Sequence, residues 1–155
     1  MKVQAIGFKK MAFMVLAAAA LMQPALKAHA GDTPASLDGA TVVTADKAKQ
    51  LMDGGAPMID SRVANEYAEG HIKGARSVPY KEKSAKSADY DASQDSFDLA
   101  KLPGDKGAAI IFSCNGAECW KSYKASHAAV KAGYKKVFWF RGGYPEWKAK
   151  GYPVE

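Results

Sequence analysis

The chain has 155 residues, of which 48% are hydrophobic and two are cysteines, and its formal net charge is +6. Residues 1–30 hold four of the 22 basic residues and none of the 16 acidic ones, so residues 31–155 carry only +2. A charge this small gives no electrostatic case for nucleic-acid binding, and the length suits one domain with a hydrophobic core.

Residues 1–30 have the pattern of a secretory signal peptide. Residues 2–10 contain three lysines, residues 11–22 form an apolar stretch too short to span a bilayer comfortably, and residues 28–30 read Ala-His-Ala. The small residues on either side of the histidine are typical of a cleavage site. We therefore predict cleavage near Ala30 and a periplasmic mature protein with no membrane contact.

After this segment, residues 31–40 are small and polar, and we predict a flexible leader before a single domain over residues 41–155. Within the domain, short apolar runs alternate with segments that carry helix signals, such as Thr44 as an N-cap and Gly54 after a helix. The predicted strands cover residues 41–43, 57–60, 74–79, 108–112 and 135–140, and the predicted helices cover residues 45–52, 64–69, 118–132 and 144–150. This α/β alternation predicts a parallel sheet with helices on both faces.

Residues 80–104 are polar, mixed in charge and without clear periodicity. A loop of this length in a small domain is typically functional or mobile. One interpretation is a surface excursion that Phe97, Leu99 and Leu102 attach to the domain. The other is a docking surface, together with Trp120, for a partner protein.

Both cysteines lie in one short loop, residues 114–119, between a predicted buried strand and a predicted helix. At this place in an α/β sheet, backbone N–H groups and the helix N-terminus favour an anion and stabilise a thiolate. Cys114 and Cys119 are only five positions apart, so a disulfide between them would remove little entropy from the unfolded chain. We therefore interpret the pair as chemical rather than as a structural staple, with Cys114 as the candidate nucleophile.

Four features, in order and at suitable spacing, resemble the rhodanese (sulfurtransferase) domain family over essentially all of residues 41–155. They are Asp60-Ser61-Arg62 with Glu66-Tyr67 and the run Gly70–Ala75, then Cys114 after the fourth strand, then Gly133-Tyr134 with Val137, and finally Arg141-Gly142-Gly143 with Trp147, Gly151 and Pro153. The resemblance implies a single α/β domain with a five-stranded parallel sheet and a persulfide formed on Cys114. The Cys-x4-Cys-Trp arrangement ending in Trp120 resembles a subset of exported single-domain members, some linked with cofactor-dependent periplasmic oxidation systems.

This resemblance implies a sulfurtransferase that acts on small molecules. A Cys114 thiolate attacks the outer sulfur of thiosulfate or a similar sulfur-containing anion, and the persulfide then passes its sulfur to cyanide or a thiol. The predicted binding groups are backbone N–H groups of the loop, contributed by Asn115, Gly116, Ala117, Glu118 and Cys119. No cofactor is expected, and no metal, because two thiols at this spacing lack further ligands.

Cys119 has two interpretations. As a resolving thiol it attacks the Cys114 persulfide, expels hydrosulfide and leaves a disulfide; otherwise it is a small residue at the helix start with no role in turnover. The alternative function uses both thiols, in a periplasmic dithiol/disulfide or sulfur-carrier module that docks to another periplasmic protein. The enzyme needs Cys114 alone, whereas the module needs both cysteines.

Asp60 and Arg62 are supporting candidates at the end of the second strand. In the functional interpretation, they orient the loop or assist entry of an anion. In the structural interpretation, an ion pair or loop hydrogen bonds tie Arg62 to Glu66. Arg141 either supplies positive charge near the mouth of the site or is a solvated surface residue. Phosphatase activity is disfavoured, because Trp120 stands at the offset where phosphatases of similar fold place an arginine that clamps phosphate.

Overall fold

The structure, a computed structural model, describes residues 31–155, so the predicted signal peptide lies outside the described residues. The strands are β1 Ala40–Val42, β2 Met58–Asp60, β3 Arg76–Ser77, β4 Ala109–Ser113 and β5 Lys136–Phe140. The helices are α1 Ala45–Asp53, α2 Ala64–Glu69, α3 Trp120–Lys131 and α4 Gly143–Ala149, and short 3₁₀ turns cover Ala92–Gln94 and Leu99–Lys101. Within residues 31–155, no helix is long and apolar enough to cross a membrane.

The five strands are parallel and lie in the order β1-β5-β4-β2-β3, which confirms the predicted five-stranded parallel sheet. Alternate side chains of the central strand β4 enter two different hydrophobic clusters. Phe112 packs with Ala129 of α3, whereas Ile111 packs with Ala48 of α1 and Trp147 of α4. Helices therefore cover both faces of the sheet, as predicted.

The carboxyl ends of β2 and β4 meet at the point where the chain changes direction across the sheet. From β2 the chain continues to β3 at one edge, and from β4 it continues to β5 on the other side. Ser61 N donates to Ser113 O at 3.0 Å, so the segments that follow these two strands start side by side. Parallel α/β sheets bind their ligands in the crevice at such a point.

Helix α3 begins at Trp120, whereas the sequence predicted a start at Glu118. Cys119 N donates to Gly116 O at 3.0 Å and closes a turn before the helix. This turn keeps Cys119 in extended backbone geometry, with φ −90° and ψ 105°. At α1 the predicted N-cap is confirmed, because Thr44 Oγ1 accepts a hydrogen bond from Lys47 N at 3.4 Å.

Residues 31–40 pack against the domain, contrary to the expectation of a flexible leader. Thr33 is 2% exposed and Leu37 is 8% exposed. Leu37 belongs to a cluster with Trp120 and Trp139, so burial of its apolar side chain holds the segment on the domain.

A buried lysine attaches residues 80–104 to helix α3. Lys124 has no exposed side-chain surface, and its Nζ lies 2.8 Å from Glu82 Oε2 and 3.7 Å from Asp95 Oδ2. The same ammonium donates to two loop oxygens, Ser84 Oγ at 2.8 Å and Ala85 O at 2.9 Å. Its charge is thus compensated by two carboxylates and further hydrogen bonds, as a buried charge requires.

The predicted apolar anchors of this loop are confirmed only in part. Phe97 and Leu102 pack against the core, but Leu99 is 39% exposed and does not belong to this core cluster. Asp95 contributes more to the attachment than Leu99. Burial disfavours its ionised form, yet hydrogen bonds from Ser84 and from other loop donors outweigh burial and keep the pKa of Asp95 below its usual range.

Candidate active site

The loop from Cys114 to Cys119 follows β4 directly and precedes α3, so it lies at the carboxyl edge of the sheet. Cys114 is 1% exposed, whereas Cys119 is partly exposed. The first cysteine is therefore covered by the domain and the second borders the solvent.

Cys114 and Cys119 are joined by a disulfide, with their Cα atoms 6.1 Å apart. The loop thus brings the two sulfur atoms together, as a resolving role for Cys119 requires. A disulfide sulfur is not a thiolate, so in this state Cys114 is not a nucleophile. The Cys119 sulfur stands where the outer sulfur of a Cys114 persulfide would be bonded. Attack by Cys114 on a sulfur donor would therefore require that the disulfide is reduced first.

The backbone N–H groups of the loop are not all available to an anion. The Cys119 N–H donates to Gly116 O within the turn, so this predicted binding group is already engaged. Within residues 31–155, the N–H groups of Asn115, Gly116, Ala117 and Glu118 have no hydrogen-bond acceptor. These four donors lie between the nucleophile position and the first turn of α3, which suits an anion.

Asn115 connects the loop to helix α2. Its side chain is exposed, and Nδ2 donates to Glu66 Oε1 at 2.7 Å. The other carboxylate oxygen of Glu66 accepts a hydrogen bond from Val63 N at 3.3 Å, at the start of α2. The predicted tie between Arg62 and Glu66 is wrong, because Glu66 is occupied by the loop and by its own helix.

Arg62 instead pairs with Asp60, and both side chains are 3% exposed. Nη2 of Arg62 lies 2.7 Å from Asp60 Oδ2, and Nε donates to the same carboxylate at 3.0 Å. Nη2 also donates to Gly70 O at 2.8 Å, and the guanidinium lies 4.4 Å from the centre of the Tyr144 ring. With Nε and Nη2 engaged and the side chain buried, the structure favours a structural role for Arg62 over a role in anion entry.

Close packing of α4 against the loop fixes the position of Cys114. Tyr144 N donates to Cys114 O at 2.8 Å. Gly143 has φ +61°, and a Cβ atom at this position would lie 2.9 Å from Gly116 N. Only glycine permits both this backbone conformation and this approach.

The other half of the loop is held by the N-terminal segment. Thr33 N and Thr33 Oγ1 both donate to Ala117 O, at 2.8 and 2.7 Å. Arg141 binds Thr33 in turn and lies 3.9 Å from the Asp32 carboxylate. This contradicts the solvated-surface interpretation of Arg141. Sequence reasoning missed Thr33, since a single threonine in a small, polar stretch carries no local signal of such a contact.

Glu118 and Trp120, at the end of the loop, differ in burial. Glu118 is exposed, whereas Trp120 is 6% exposed and donates from Nε1 to Gly31 O at 3.1 Å. Trp120 also packs with Tyr123 and Trp139. It is therefore a packing residue, as expected for this face of α3, and offers little surface for docking a partner.

A family model described as the rhodanese-like domain matches residues 44–150. The chain belongs to the rhodanese-like domain family. The match covers all four helices and runs from the N-cap of α1 to the end of α4. The resemblance inferred from sequence motifs is thereby confirmed at the level of the family, while the Cys-x4-Cys-Trp subset stays a prediction.

Two individual proteins are similar to this chain. The chain is 32% identical over 114 residues to the HTH-type transcriptional regulator Rv0324 of Mycobacterium tuberculosis, across 74% of this chain and 44% of the regulator. It is 27% identical over 114 residues to thiosulfate sulfurtransferase 18 of Arabidopsis thaliana, across 72% of this chain and 81% of that protein. The chain thus spans less than half of the first relative and most of the second.

A solved structure gives the same picture of the fold. The rhodanese-like domain of the Alr3790 protein from Anabaena sp. is 25% identical to this chain, with a TM-score of 0.52 over 73% of this chain and 76% of that domain. Together the comparisons support a rhodanese-like fold in a family that includes sulfurtransferases.

Proposed function

We propose that this protein is a sulfurtransferase that carries sulfane sulfur as a persulfide on Cys114 once the disulfide has been reduced. The observation that carries the proposal is the placement of Cys114 at the end of β4, beside four loop N–H groups that have no acceptor within residues 31–155. Such donors stabilise a thiolate and then the negative charge of the persulfide. The likeness to a plant thiosulfate sulfurtransferase gives independent support.

The proposed reaction has three balanced steps. Two external thiols reduce the disulfide and leave as their own disulfide. The Cys114 thiolate attacks the outer sulfur of thiosulfate, breaks its sulfur–sulfur bond and releases sulfite. Cyanide or a thiolate then attacks the outer sulfur of the persulfide and regenerates the Cys114 thiolate. Cyanide leaves as thiocyanate in this last step.

A second candidate function is a dithiol/disulfide module that exchanges electrons or sulfur with a partner protein. The disulfide between Cys114 and Cys119 favours it, because Cys119 has no part in the two sulfur-transfer steps above. In this candidate, Cys119 attacks the inner sulfur of the Cys114 persulfide and expels hydrosulfide, so that the disulfide returns. The partly exposed Cys119 is then the cysteine of the disulfide that a partner thiol attacks.

The cellular setting follows from the signal-peptide pattern and is part of the proposal. Cleavage near Ala30 gives a periplasmic protein whose first residue is Gly31. In an oxidising compartment the disulfide is the expected resting form, so a dedicated reductant is part of the proposed cycle. A periplasmic thiol protein is the class of partner that meets this need.

Intact-mass measurement of the reduced protein after exposure to thiosulfate tests the proposal. Cys119→Ser is expected to gain one sulfur atom that cyanide removes as thiocyanate, whereas Cys114→Ser gains none. Wild-type protein either keeps the sulfur or releases it as hydrosulfide while it loses two hydrogens, and the second result assigns the resolving role to Cys119.

The outcome that contradicts the sulfurtransferase is the absence of added sulfur on Cys119→Ser. If wild-type protein then still loses two hydrogens without release of hydrosulfide, the dithiol/disulfide module is the function that stands. The two cysteine variants serve as each other's control, because they differ only in which thiol remains.

A further inference from the structure

The loop between the two cysteines is held from two sides by different parts of the chain. The Cys114 half is fixed by the domain, through the hydrogen bond from Tyr144 N to Cys114 O at 2.8 Å. The Cys119 half is held by residues 31–37, which we call the strap. The carbonyl of Ala117, in the middle of the loop, accepts both hydrogen bonds from Thr33.

Thr33 is built into this contact. It is 2% exposed, so its hydroxyl and backbone groups are shielded from water. The hydroxyl donates to Ala117 O at 2.7 Å and accepts from Arg141 Nε at 3.1 Å. Arg141 Nη2 also donates to Thr33 O at 2.7 Å. The Thr33 hydroxyl therefore acts both as a donor and as an acceptor. Its hydrogen bond from the charged guanidinium is of a kind that is stronger than one between neutral groups.

Trp120 extends the contact to the residue next to Cys119. Its indole Nε1 donates to Gly31 O at 3.1 Å, and its ring packs with Leu37 of the strap. The strap thus touches the loop on both sides of the second cysteine, at Ala117 and at Trp120. Cys119 therefore lies between Ala117 and Trp120, two residues whose motion the strap restricts.

We propose that Thr33, held by Arg141, is a positioning residue that fixes the Cys119 half of the loop and so favours the disulfide over the dithiol. The physical reason is preorganisation: a thiol that is kept close to its partner has a high effective concentration toward it. Coupling of this kind is reciprocal, so reduction of the disulfide loosens the strap by the same free energy. The inference rests on the redox pairing of the cysteines within the proposed function, but not on sulfur transfer.

The test is the equilibrium constant for disulfide formation in mixtures of reduced and oxidised glutathione, read by alkylation and intact mass. Relative to wild type, the constant is expected to fall about tenfold in Arg141→Met and roughly fivefold in Thr33→Val, from the loss of buried hydrogen bonds to the loop. Thr33→Ser keeps the hydroxyl and should retain the wild-type constant. The matched controls are two exposed residues on edge strands, Thr41→Val and Arg76→Met, which should leave the constant unchanged.

Hydrogen exchange supplies the reciprocal readout. Backbone amides of the strap should exchange faster in the dithiol form of the wild type than in its disulfide form, and this difference should shrink in Thr33→Val. A role of Thr33 in overall stability alone would not alter the ratio of two folded forms, so it predicts no change in the glutathione equilibrium.

Three outcomes overturn the inference. They are an unchanged constant in both Thr33→Val and Arg141→Met, an equal loss in Thr33→Ser, and failure of the wild type to form the disulfide at any glutathione ratio. Sulfur loading is measured separately on Cys119→Ser. If the variants shift the equilibrium although Cys119→Ser takes up no sulfur, the sulfurtransferase fails and the positioning role stands.

Discussion

Two buried cations support the candidate site, and they find their partners at different distances along the chain. Arg62 pairs with Asp60, two residues earlier, at 2.7 Å. Lys124 binds residues of a distant loop, among them Ser84, which lies 40 positions away. The first pair is made by one tight segment after β2, whereas the second connects α3 to an excursion that has little regular structure of its own.

The two cations therefore stabilise different parts of the candidate site. The guanidinium of Arg62 lies against the ring of Tyr144, whose backbone N–H donates to Cys114 O, so this pair supports the position of Cys114. Lys124 lies within the helix that follows Cys119, and it connects this helix to residues 80–104. We therefore expect Lys124 to govern stability and Arg62 to govern both stability and reactivity.

The largest expected effect is that of Lys124→Met. It leaves the carboxylates of Glu82 and Asp95 without their cation, so the free energy of unfolding should fall by about 3–5 kcal/mol. Sulfur loading per folded molecule should stay close to that of wild type. Urea unfolding and the thiosulfate assay measure the two quantities.

Lys131→Met is the control, because this lysine is exposed on the same helix. An exposed substitution of this kind is expected to change the free energy of unfolding by no more than about 0.5 kcal/mol. Equal effects of the two lysine variants would contradict a structural role for the buried network.

A smaller effect on stability is expected for Asp60→Asn, with an effect on reactivity in addition. The amide keeps the shape of the carboxylate but leaves Arg62 with a buried charge that only Gly70 O and the Tyr144 ring compensate. The free energy of unfolding should fall by about 3 kcal/mol, and thiosulfate loading should slow by roughly tenfold because the support of Cys114 shifts. Stopped-flow loading and urea unfolding measure the two effects.

The exposed Asp53 at the end of α1 provides the matched control as Asp53→Asn. If Asp60→Asn loses stability but loads sulfur at the wild-type rate, the proposed path from Arg62 through Tyr144 to Cys114 is wrong. If neither property changes, the ion pair is dispensable.

The smallest expected effect is a pH dependence of the free energy of unfolding that arises from Asp95. The pKa of Asp95 is lower in the folded protein than its ordinary value near 4, so its contribution to stability is present above that value and is lost as the pH falls through the folded pKa. Asp95→Asn should therefore be less stable than wild type at neutral pH, and the gap should narrow below about pH 4. Unfolding curves at several acidic pH values measure it, and a gap that is constant with pH would refute the assignment to Asp95.

The sequence was most informative where structure depends on neighbouring residues. The helix over Ala64–Glu69 was predicted with the bounds that the structure has, and Gly70, which ends it, is a local signal. The order of strands and helices followed from alternation of apolar runs. The placement of Cys114 after β4 likewise follows from one short segment of sequence.

Contacts between distant residues explain why Thr33 was missed. Thr33 and Ala117 are 84 positions apart, and Arg141 and Thr33 are 108 positions apart, so no local pattern relates them. Arg62 pairs with Asp60, two residues earlier, and the sequence holds no signal that distinguishes this partner from Glu66. The start of α3 at Trp120 also has a local cause, because the residue types of the loop do not reveal the turn that Cys119 N closes with Gly116 O.

The hydrogen bonds to the loop carbonyls also determine the orientation of the peptide planes. In a trans peptide the C=O and the following N–H point in opposite directions. Because Cys114 O is directed at α4, the N–H of Asn115 is turned away from it, and because Ala117 O is directed at Thr33, the N–H of Glu118 is turned away from that side. Contacts made by the loop carbonyls therefore determine where these N–H dipoles point.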